Sequence, residues 1–169
     1  MHPQNFLHSA LTFLVILITP FTIWKALSFA TASSYPIVVV TSESMEPAFQ
    51  RGDILFLSNR SYEVFAGDIP VVWFPGNPLP MVHRALNVMI HENHNADEDR
   101  QFILTKGDNN PVHDRTLYPR GQSFVAREEI VGLVKGYLPF AGWFTIALSD
   151  YPWLKAVGVA VLGVLAFFT

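Results

Sequence analysis

The chain has 169 residues, of which 50% are hydrophobic and 15% charged, and its net charge is −3. This length suits one domain with appended segments, and the apolar excess is larger than in an ordinary soluble domain. The acidic charge balance argues against a nucleic-acid partner, and the lack of cysteine excludes zinc-finger, thiol-protease and disulfide-scaffold classes.

The first apolar segment, FLHSALTFLVILITPFTIW, occupies residues 6–24. Roughly 20 helical residues cross a bilayer core, so the sequence predicts a transmembrane anchor over 6–28, after a short cytosolic tail at 1–5. The alternative is a cleavable secretory signal with the small residues 30–32 as its cleavage site. Because no Lys or Arg precedes the apolar run, we expect a retained signal anchor.

Strand patterns dominate the middle of the chain. Short apolar runs occur at 36–40, 53–57, 68–74, 80–90, 101–107 and 130–138, and Gly and Pro residues separate them. Such spacing predicts a mainly β domain over 33–150, a small antiparallel barrel or sandwich. The polar segment 91–100 is predicted to be a solvated hairpin tip.

The last apolar segment, AVGVAVLGVLAFF, is short for a membrane span. Tyr151, Trp153 and Lys155 precede it, and these residue types favour the lipid headgroup region. We therefore expect a short membrane-associated helix over 152–168.

A polar elbow, TSESMEPAFQRGD, interrupts the first two strand patterns. It does not match a helix capping box, because neither Ser42 nor Ser44 has Glu or Gln three residues later. Met45, Ala48 and Phe49 are interpreted as an exposed apolar rim suited to a hydrophobic substrate. Since a serine hydroxyl beside such a rim could act as a nucleophile, the elbow is a candidate active site.

A serine nucleophile needs a base. His83 is a candidate because it lies inside a strand pattern, where an ionisable side chain is unexpected. A histidine base needs a third group to orient it, and the loop KGDNNPVHDR offers both Asp108 and Asp114. The residues alone leave these two carboxylates as alternatives. A Ser/Lys protease that uses Lys106 is a further hypothesis.

His91, His94 and Asp97 are candidate ligands of a hypothetical metal site. Their spacing matches no defined ligand pattern, so no metal is expected there.

Four segments in order resemble a known family: SESMEPAFQRGDILFL, MVHRAL, LTKGDNNPVHDRTLY and EIVGLVKGYLPF. They are similar to the conserved boxes of the SEC11-type catalytic subunit of the eukaryotic signal peptidase complex, and the resemblance covers nearly the whole chain. It implies a type I signal peptidase, a serine endopeptidase with a signal-peptidase (LexA-like) β domain on an amino-terminal anchor.

The family's motifs imply a role for each site residue. Ser44 is the expected nucleophile, His83 the general base and Asp114 the acid of the triad, with Asp108 as the alternative acid. Ser42 occupies the position of a serine whose hydroxyl helps to bind the oxyanion in bacterial relatives.

The resemblance also implies the substrate and the location. Signal-peptide-bearing preproteins would bind as an extended strand beside residues 36–40, contacting Ile37, Val39 and Met45, with small side chains at positions −1 and −3. No cofactor is expected. Partners would be other membrane subunits of the complex and lipid of the endoplasmic reticulum membrane, with a single-pass type II topology and a lumenal catalytic domain. A non-catalytic peptide-binding adaptor of the same assembly is the alternative function.

Two sequence features qualify this expectation. The family usually has glycine where this chain has Glu43, and a glutamate at positive φ would carry strain of about 1–3 kcal/mol. The tripeptide NRS at Asn59 is an N-glycosylation sequon, which a lumenal domain would expose to the modifying enzymes.

Overall fold

A computed structural model describes residues 3–91, 100–158 and 160. The first element, helix α1 (Pro3–Thr31), contains the predicted anchor and continues beyond both of its expected ends. Its stretch Leu11–Thr31 has a mean hydropathy of 1.8, and none of that stretch is buried in the protein. At 1.5 Å per residue this stretch is about 32 Å long, close to the thickness of a bilayer core.

In the middle of the chain the described residues form eight strands, and helix α2 (Trp143–Asp150) follows them. The strands are β1 (Ile37–Val39), β2 (Ile54–Ser58), β3 (Pro70–Val72), β4 (Met81–Val82), β5 (Arg84–His91), β6 (Arg100–Lys106), β7 (Val125–Ala126) and β8 (Ile130–Leu138). Two single-turn 3₁₀ helices lie at Asp114–Thr116 and Arg127–Glu129, and residues 152–158 are helical.

The strands form two antiparallel sheets, as expected for a mainly β domain. The five-stranded sheet has the order β1-β2-β8-β3-β4, and the three-stranded sheet has the order β5-β6-β7. Among the described strands, β1 lies at one edge of the larger sheet and pairs with β2 alone. Its other side is therefore open to an additional strand.

Two apolar clusters fill the domain. One packs Val72 and Leu133 of the five-stranded sheet against Ile103 and Val125 of the smaller sheet. The other contains Leu55, Leu57, Val71 and two residues of the elbow, Met45 and Phe49. Burial against the sheet thus anchors the elbow, since each large apolar side chain contributes about 1.5–3 kcal/mol when it leaves water.

The structure corrects four sequence-based expectations. The predicted strand 80–90 is two strands, β4 and β5, which belong to different sheets and meet at His83. The expected exposed rim is wrong for Met45 and Phe49, which are only 1% and 6% exposed because the elbow folds them into the core. His91 belongs to strand β5 rather than to a hairpin tip, and the rest of that tip, residues 92–99, lies outside the described residues. Helix α2 was not predicted.

The predicted terminal helix over 152–168 is described only in part. Residues 152–158 and 160 are helical, and the remainder lies outside the described residues. The proposed tail and anchor boundaries likewise stay predictions.

Candidate active site

The elbow presents Ser44 at the end of strand β1. The backbone N–H of Val40 donates to the carbonyl of Asp53 (2.9 Å), and the N–H of Gly52 donates to the carbonyl of Val40 (2.9 Å). These two bonds close the base of the elbow. Inside it Met45 is buried, while Ser44 stays partly exposed. The elbow is thus held at its base and by its core side chains, with the serine left accessible.

His83 occupies the junction between the two sheets. Its neighbour Val82 pairs with Val71 in one sheet, and its other neighbour Arg84 pairs with Lys106 in the other. The His83 side chain is 5% exposed. A side chain at such a junction belongs to neither sheet surface, so the ring is free to extend towards the elbow.

The His83 ring bridges the serine and a carboxylate. Its Nε2 lies 2.9 Å from Ser44 Oγ, and its Nδ1 lies 2.6 Å from Asp114 Oδ2. If Nδ1 carries a proton for the carboxylate, Nε2 is the lone-pair nitrogen that accepts from the hydroxyl. This is the arrangement in which a histidine can remove the proton of a serine.

Asp114 begins a 3₁₀ helix and is only 1% exposed. Its Oδ2 also accepts a hydrogen bond from Thr105 Oγ1 (2.7 Å), whose hydroxyl lies 2.9 Å from the hydroxyl of Tyr118. Burial raises the pKa of Tyr118 above its ordinary value, so this hydroxyl stays protonated and can donate to Thr105. A chain of buried hydrogen bonds therefore supports the same carboxylate oxygen that His83 contacts.

Thr105 and Tyr118 are not among the site residues predicted from the sequence. The strand pattern of β6 contained a signal for the first, because Gln101, Ile103 and Thr105 alternate on the face that the structure buries. A threonine in a buried row needs a hydrogen-bond partner, and Asp114 is that partner.

Asp108, the alternative acid, lies elsewhere in the network. Its two oxygens accept from Arg84 Nε (2.8 Å) and Arg84 Nη2 (2.6 Å). Hydrogen bonding to Arg84 holds the pKa of the Asp108 carboxyl below its ordinary range. The geometry thus brings Asp114, and not Asp108, to the ring of His83.

Lys106, the hypothetical base of a Ser/Lys protease, points its ammonium group at a backbone carbonyl. Its Nζ donates to the carbonyl of Gly107 at 3.3 Å. In the part of the chain that the structure describes, the base within hydrogen-bond distance of Ser44 is His83. The geometry therefore favours His83 over Lys106.

Ser42 and Glu43 complete the elbow next to Ser44. The hydroxyl of Ser42 is 3.2 Å from Ser44 Oγ, close enough to face the same substrate group. Glu43 is exposed and is not among the residues with positive φ, which include Ala32 and Phe140. Replacement of the usual glycine by Glu43 therefore places no left-handed strain on the backbone of the elbow.

A cavity of about 160 Å³ opens beside Ser44. Its lining comes from the end of β1, the elbow and the segment around β4: Val38, Val39, Val40, Thr41, Ser42, Ser44, Met45, Leu79, Pro80, Met81, Val82 and His83. Two of the three residues predicted to contact substrate, Val39 and Met45, line it, whereas Ile37 does not. A mainly apolar pocket next to the serine suits small apolar side chains.

The sequon at Asn59 is not part of the pocket lining. Asn59 follows β2, and its side-chain carbonyl accepts from the guanidinium of the buried Arg127 (2.8 Å). Among residues 3–91 and 100–158, no group of three or more His, Asp or Glu side chains could hold a metal ion. His94 and Asp97 of the hypothetical metal site lie outside those residues.

The hydrogen-bonded series Ser44–His83–Asp114 on a β domain is the constellation of a serine hydrolase. No family model matches the chain. It is 46% identical over 166 residues to the signal peptidase complex catalytic subunit SEC11 of Metarhizium robertsii, covering 97% of this chain and 93% of that protein. The chain belongs to the family of SEC11 catalytic subunits of the signal peptidase complex.

Further relatives carry the same name. The SEC11 subunit of Sclerotinia sclerotiorum is 46% identical over 164 residues, covering 96% of this chain and 92% of the relative. That of Pyrenophora teres f. teres is 45% identical over 166 residues, covering 98% and 93%. The similarity spans the anchor helix, the β domain and the carboxy-terminal helical segment together.

Proposed function

We propose that this chain is the catalytic subunit of a signal peptidase complex and removes signal peptides from secretory and membrane preproteins. The observation that carries the proposal is the 2.9 Å separation of Ser44 Oγ and His83 Nε2, with Asp114 on the other ring nitrogen. A non-catalytic adaptor would not need these three side chains in one hydrogen-bonded series.

The geometry supports acyl transfer through a serine ester. His83 Nε2 accepts the proton of Ser44 as its Oγ attacks the scissile carbonyl, and Asp114 stabilises the imidazolium that forms. His83 then returns the proton to the leaving amine. Water attacks the acyl-enzyme with His83 again as the base, which releases the signal peptide and regenerates Ser44.

The oxyanion would be bound beside the nucleophile. The backbone N–H of Ser44 and the hydroxyl of Ser42, which lies 3.2 Å from Ser44 Oγ, are the two proposed donors. Loss of one such donor typically lowers kcat on the order of 10²–10³-fold, so Ser42→Ala should be impaired by that amount.

The open edge of β1 supports binding of the substrate as an extended strand. Main-chain hydrogen bonds to this edge would hold the peptide, and the pocket beside Ser44 would select its side chains. The small volume of this pocket, about 160 Å³, supports small residues at −1 and −3.

We propose a location in the endoplasmic reticulum membrane with the β domain in the lumen. The support is the apolar stretch Leu11–Thr31, which is long enough to span a bilayer and has no buried residues. A lumenal domain would also bring the Asn59 sequon to the glycosylation machinery, and its occupancy stays a prediction. Since the relatives are named as subunits of a complex, other membrane subunits are the proposed partners.

The test is cleavage of a preprotein by the reconstituted complex. Ser44→Ala and His83→Ala should each lose activity while still assembling with the other subunits. Lys106→Arg is the control and should remain active, since among the described residues the ammonium group of Lys106 hydrogen-bonds to a backbone carbonyl and not to Ser44. A Ser44→Ala complex that still processed the preprotein would overturn the proposal, and an inactive Lys106→Arg with an active His83→Lys would replace it by a Ser/Lys mechanism.

A further inference from the structure

In loop 107–110, Asn109 makes two hydrogen bonds to the elbow. The backbone N–H of Asn109 donates to the carbonyl of Ser44 (2.9 Å), and its side-chain Nδ2 donates to the carbonyl of Glu43 (3.1 Å). One residue therefore holds two successive carbonyls of the segment that carries the nucleophile.

The hydrogen bond from Asn109 to the carbonyl of Glu43 affects the direction of the N–H of Ser44. The carbonyl of Glu43 and the N–H of Ser44 belong to the same planar trans peptide group, so they point in opposite directions. The carbonyl of Glu43 accepts from the side chain of Asn109 and also from the backbone N–H of Glu46 (3.2 Å). Because Asn109 approaches this carbonyl from loop 107–110, the N–H of Ser44 points away from that loop. Among the described residues this N–H has no hydrogen-bond acceptor, so it remains available to a substrate.

The substrate pocket lies next to Ser44. Its lining includes Ser42, Ser44 and His83, and it includes no residue of loop 107–110. The side chain of Asn109 thus approaches the elbow without occupying the pocket.

Two features hold loop 107–110 in this position. A Cβ atom at Gly107 would lie 2.6 Å from the carbonyl oxygen of Ser44, so any larger residue would force the loop and the elbow apart. Asp108 is bound through both oxygens to Arg84, the residue after His83. The loop is therefore fixed to both the nucleophile segment and the strand that carries the base.

We propose that Asn109 is a positioning residue that orients the Glu43–Ser44 peptide group, so that the N–H of Ser44 faces the developing oxyanion. This rests on the proposed role of Ser44 as the nucleophile. The bond to the side chain of Asn109 is exposed to solvent, so its loss changes the orientation of the peptide group more than the stability of the domain.

The expected effect is smaller than removal of the donor itself. A lost oxyanion donor costs on the order of 10²–10³ in kcat, and a donor that is only misdirected should cost about 10–100-fold. The value of KM should stay nearly constant, because the contacts that bind the ground-state peptide lie in the pocket and on β1.

The experiment compares three variants in the reconstituted complex. Asn109→Asp keeps the shape of the side chain and places an oxygen against the carbonyl of Glu43, and Asn109→Ala removes the donor without a new charge. Asn110→Asp is the matched control, since it makes the same chemical change at the next position, whose side chain has no hydrogen bond among the described residues. Each protein is assayed for kcat, KM, thermal stability and inhibition by a peptide boronic acid that adds to Ser44.

Both Asn109 variants should lose kcat at constant KM and bind the boronic acid more weakly by a similar factor, since its boron-bound oxygen occupies the oxyanion position. Asn110→Asp should stay within about threefold of the parent on this scale. Unchanged kcat in both Asn109 variants, or an equal loss in Asn110→Asp, would overturn the inference while an inactive Ser44→Ala still upheld the proposed function. An active Ser44→Ala would instead remove the proposed function itself.

Discussion

Replacement of Asp114 by Asn tests which of the two candidate carboxylates, Asp114 or Asp108, orients His83. Asp114 Oδ2 accepts from both His83 Nδ1 (2.6 Å) and Thr105 Oγ1 (2.7 Å). An asparagine retains the shape but lacks the negative charge. If its NH₂ group faces His83, the ring must present a lone pair at Nδ1 and carry its proton on Nε2, where it cannot accept from Ser44.

In either orientation of the amide, the imidazolium that forms at His83 loses the negative charge that stabilises it. An Asp→Asn change of this kind in a serine protease triad lowers kcat by about 10⁴-fold, which corresponds to ~5.5 kcal/mol of transition-state stabilisation. Asp108→Asn is the matched control, because Asp108 binds Arg84 and has no contact with His83 among the described residues. It should retain activity within about tenfold, since Asp108 acts on the site through the position of a loop and through a charge that is not hydrogen-bonded to His83.

The assay is single-turnover cleavage of a labelled preprotein by the reconstituted complex, with co-purification of the other subunits as the check on assembly. Single-turnover conditions isolate the chemical step from product release. A loss in Asp108→Asn that equals or exceeds the loss in Asp114→Asn would refute the assignment of Asp114. So would an Asp114→Asn protein that cleaves within about tenfold of the parent rate.

Two further predictions concern the groups around the triad. Thr105→Val removes the hydroxyl that donates to Asp114 and leaves the buried Tyr118 hydroxyl without its acceptor. It should therefore lower the unfolding free energy by about 2–3 kcal/mol and reduce kcat, whereas Thr105→Ser should retain most of both. Equal melting temperatures for the parent and Thr105→Val would contradict this. The lowered pKa of Asp108 means that its ionised form stabilises the folded state at any pH above its ordinary pKa of about 3.9, and that this contribution is lost as the pH falls through the lower folded-state value. Thermal unfolding between pH 7 and pH 2 should therefore show a weaker acid dependence for Asp108→Asn than for the parent, and identical curves would show that the pair with Arg84 adds nothing to stability.

The anchor and most strands could be predicted because their signals are local. The apolar run before residue 25 is long enough to cross a bilayer. The strand patterns beginning near 36, 53, 101 and 130 are bounded by turn residues. The division of 80–90 into two strands could not be predicted in this way. Both halves have the same apolar character, and only their pairing with different partners separates them.

The elbow shows the same limit of sequence-based prediction within the candidate active site. Its polar interruption marked Ser44 as a candidate, but Met45 and Phe49 were assigned to the surface because the sequence does not say which way an irregular segment folds. The concern about Glu43 likewise depended on a backbone angle, which the sequence does not contain.

By itself, the sequence determined the class of the protein: an apolar anchor, a β domain and an ordered set of motifs with a serine, a histidine and two aspartates. Only the tertiary structure decided which groups touch. Strand periodicity reports whether a side chain faces the core, but hydrogen bonds between residues 31 or 39 positions apart depend on how the two sheets meet. That meeting places His83 between Ser44 and Asp114, ties Asp108 to Arg84, and brings Asn109 onto the carbonyls of the elbow.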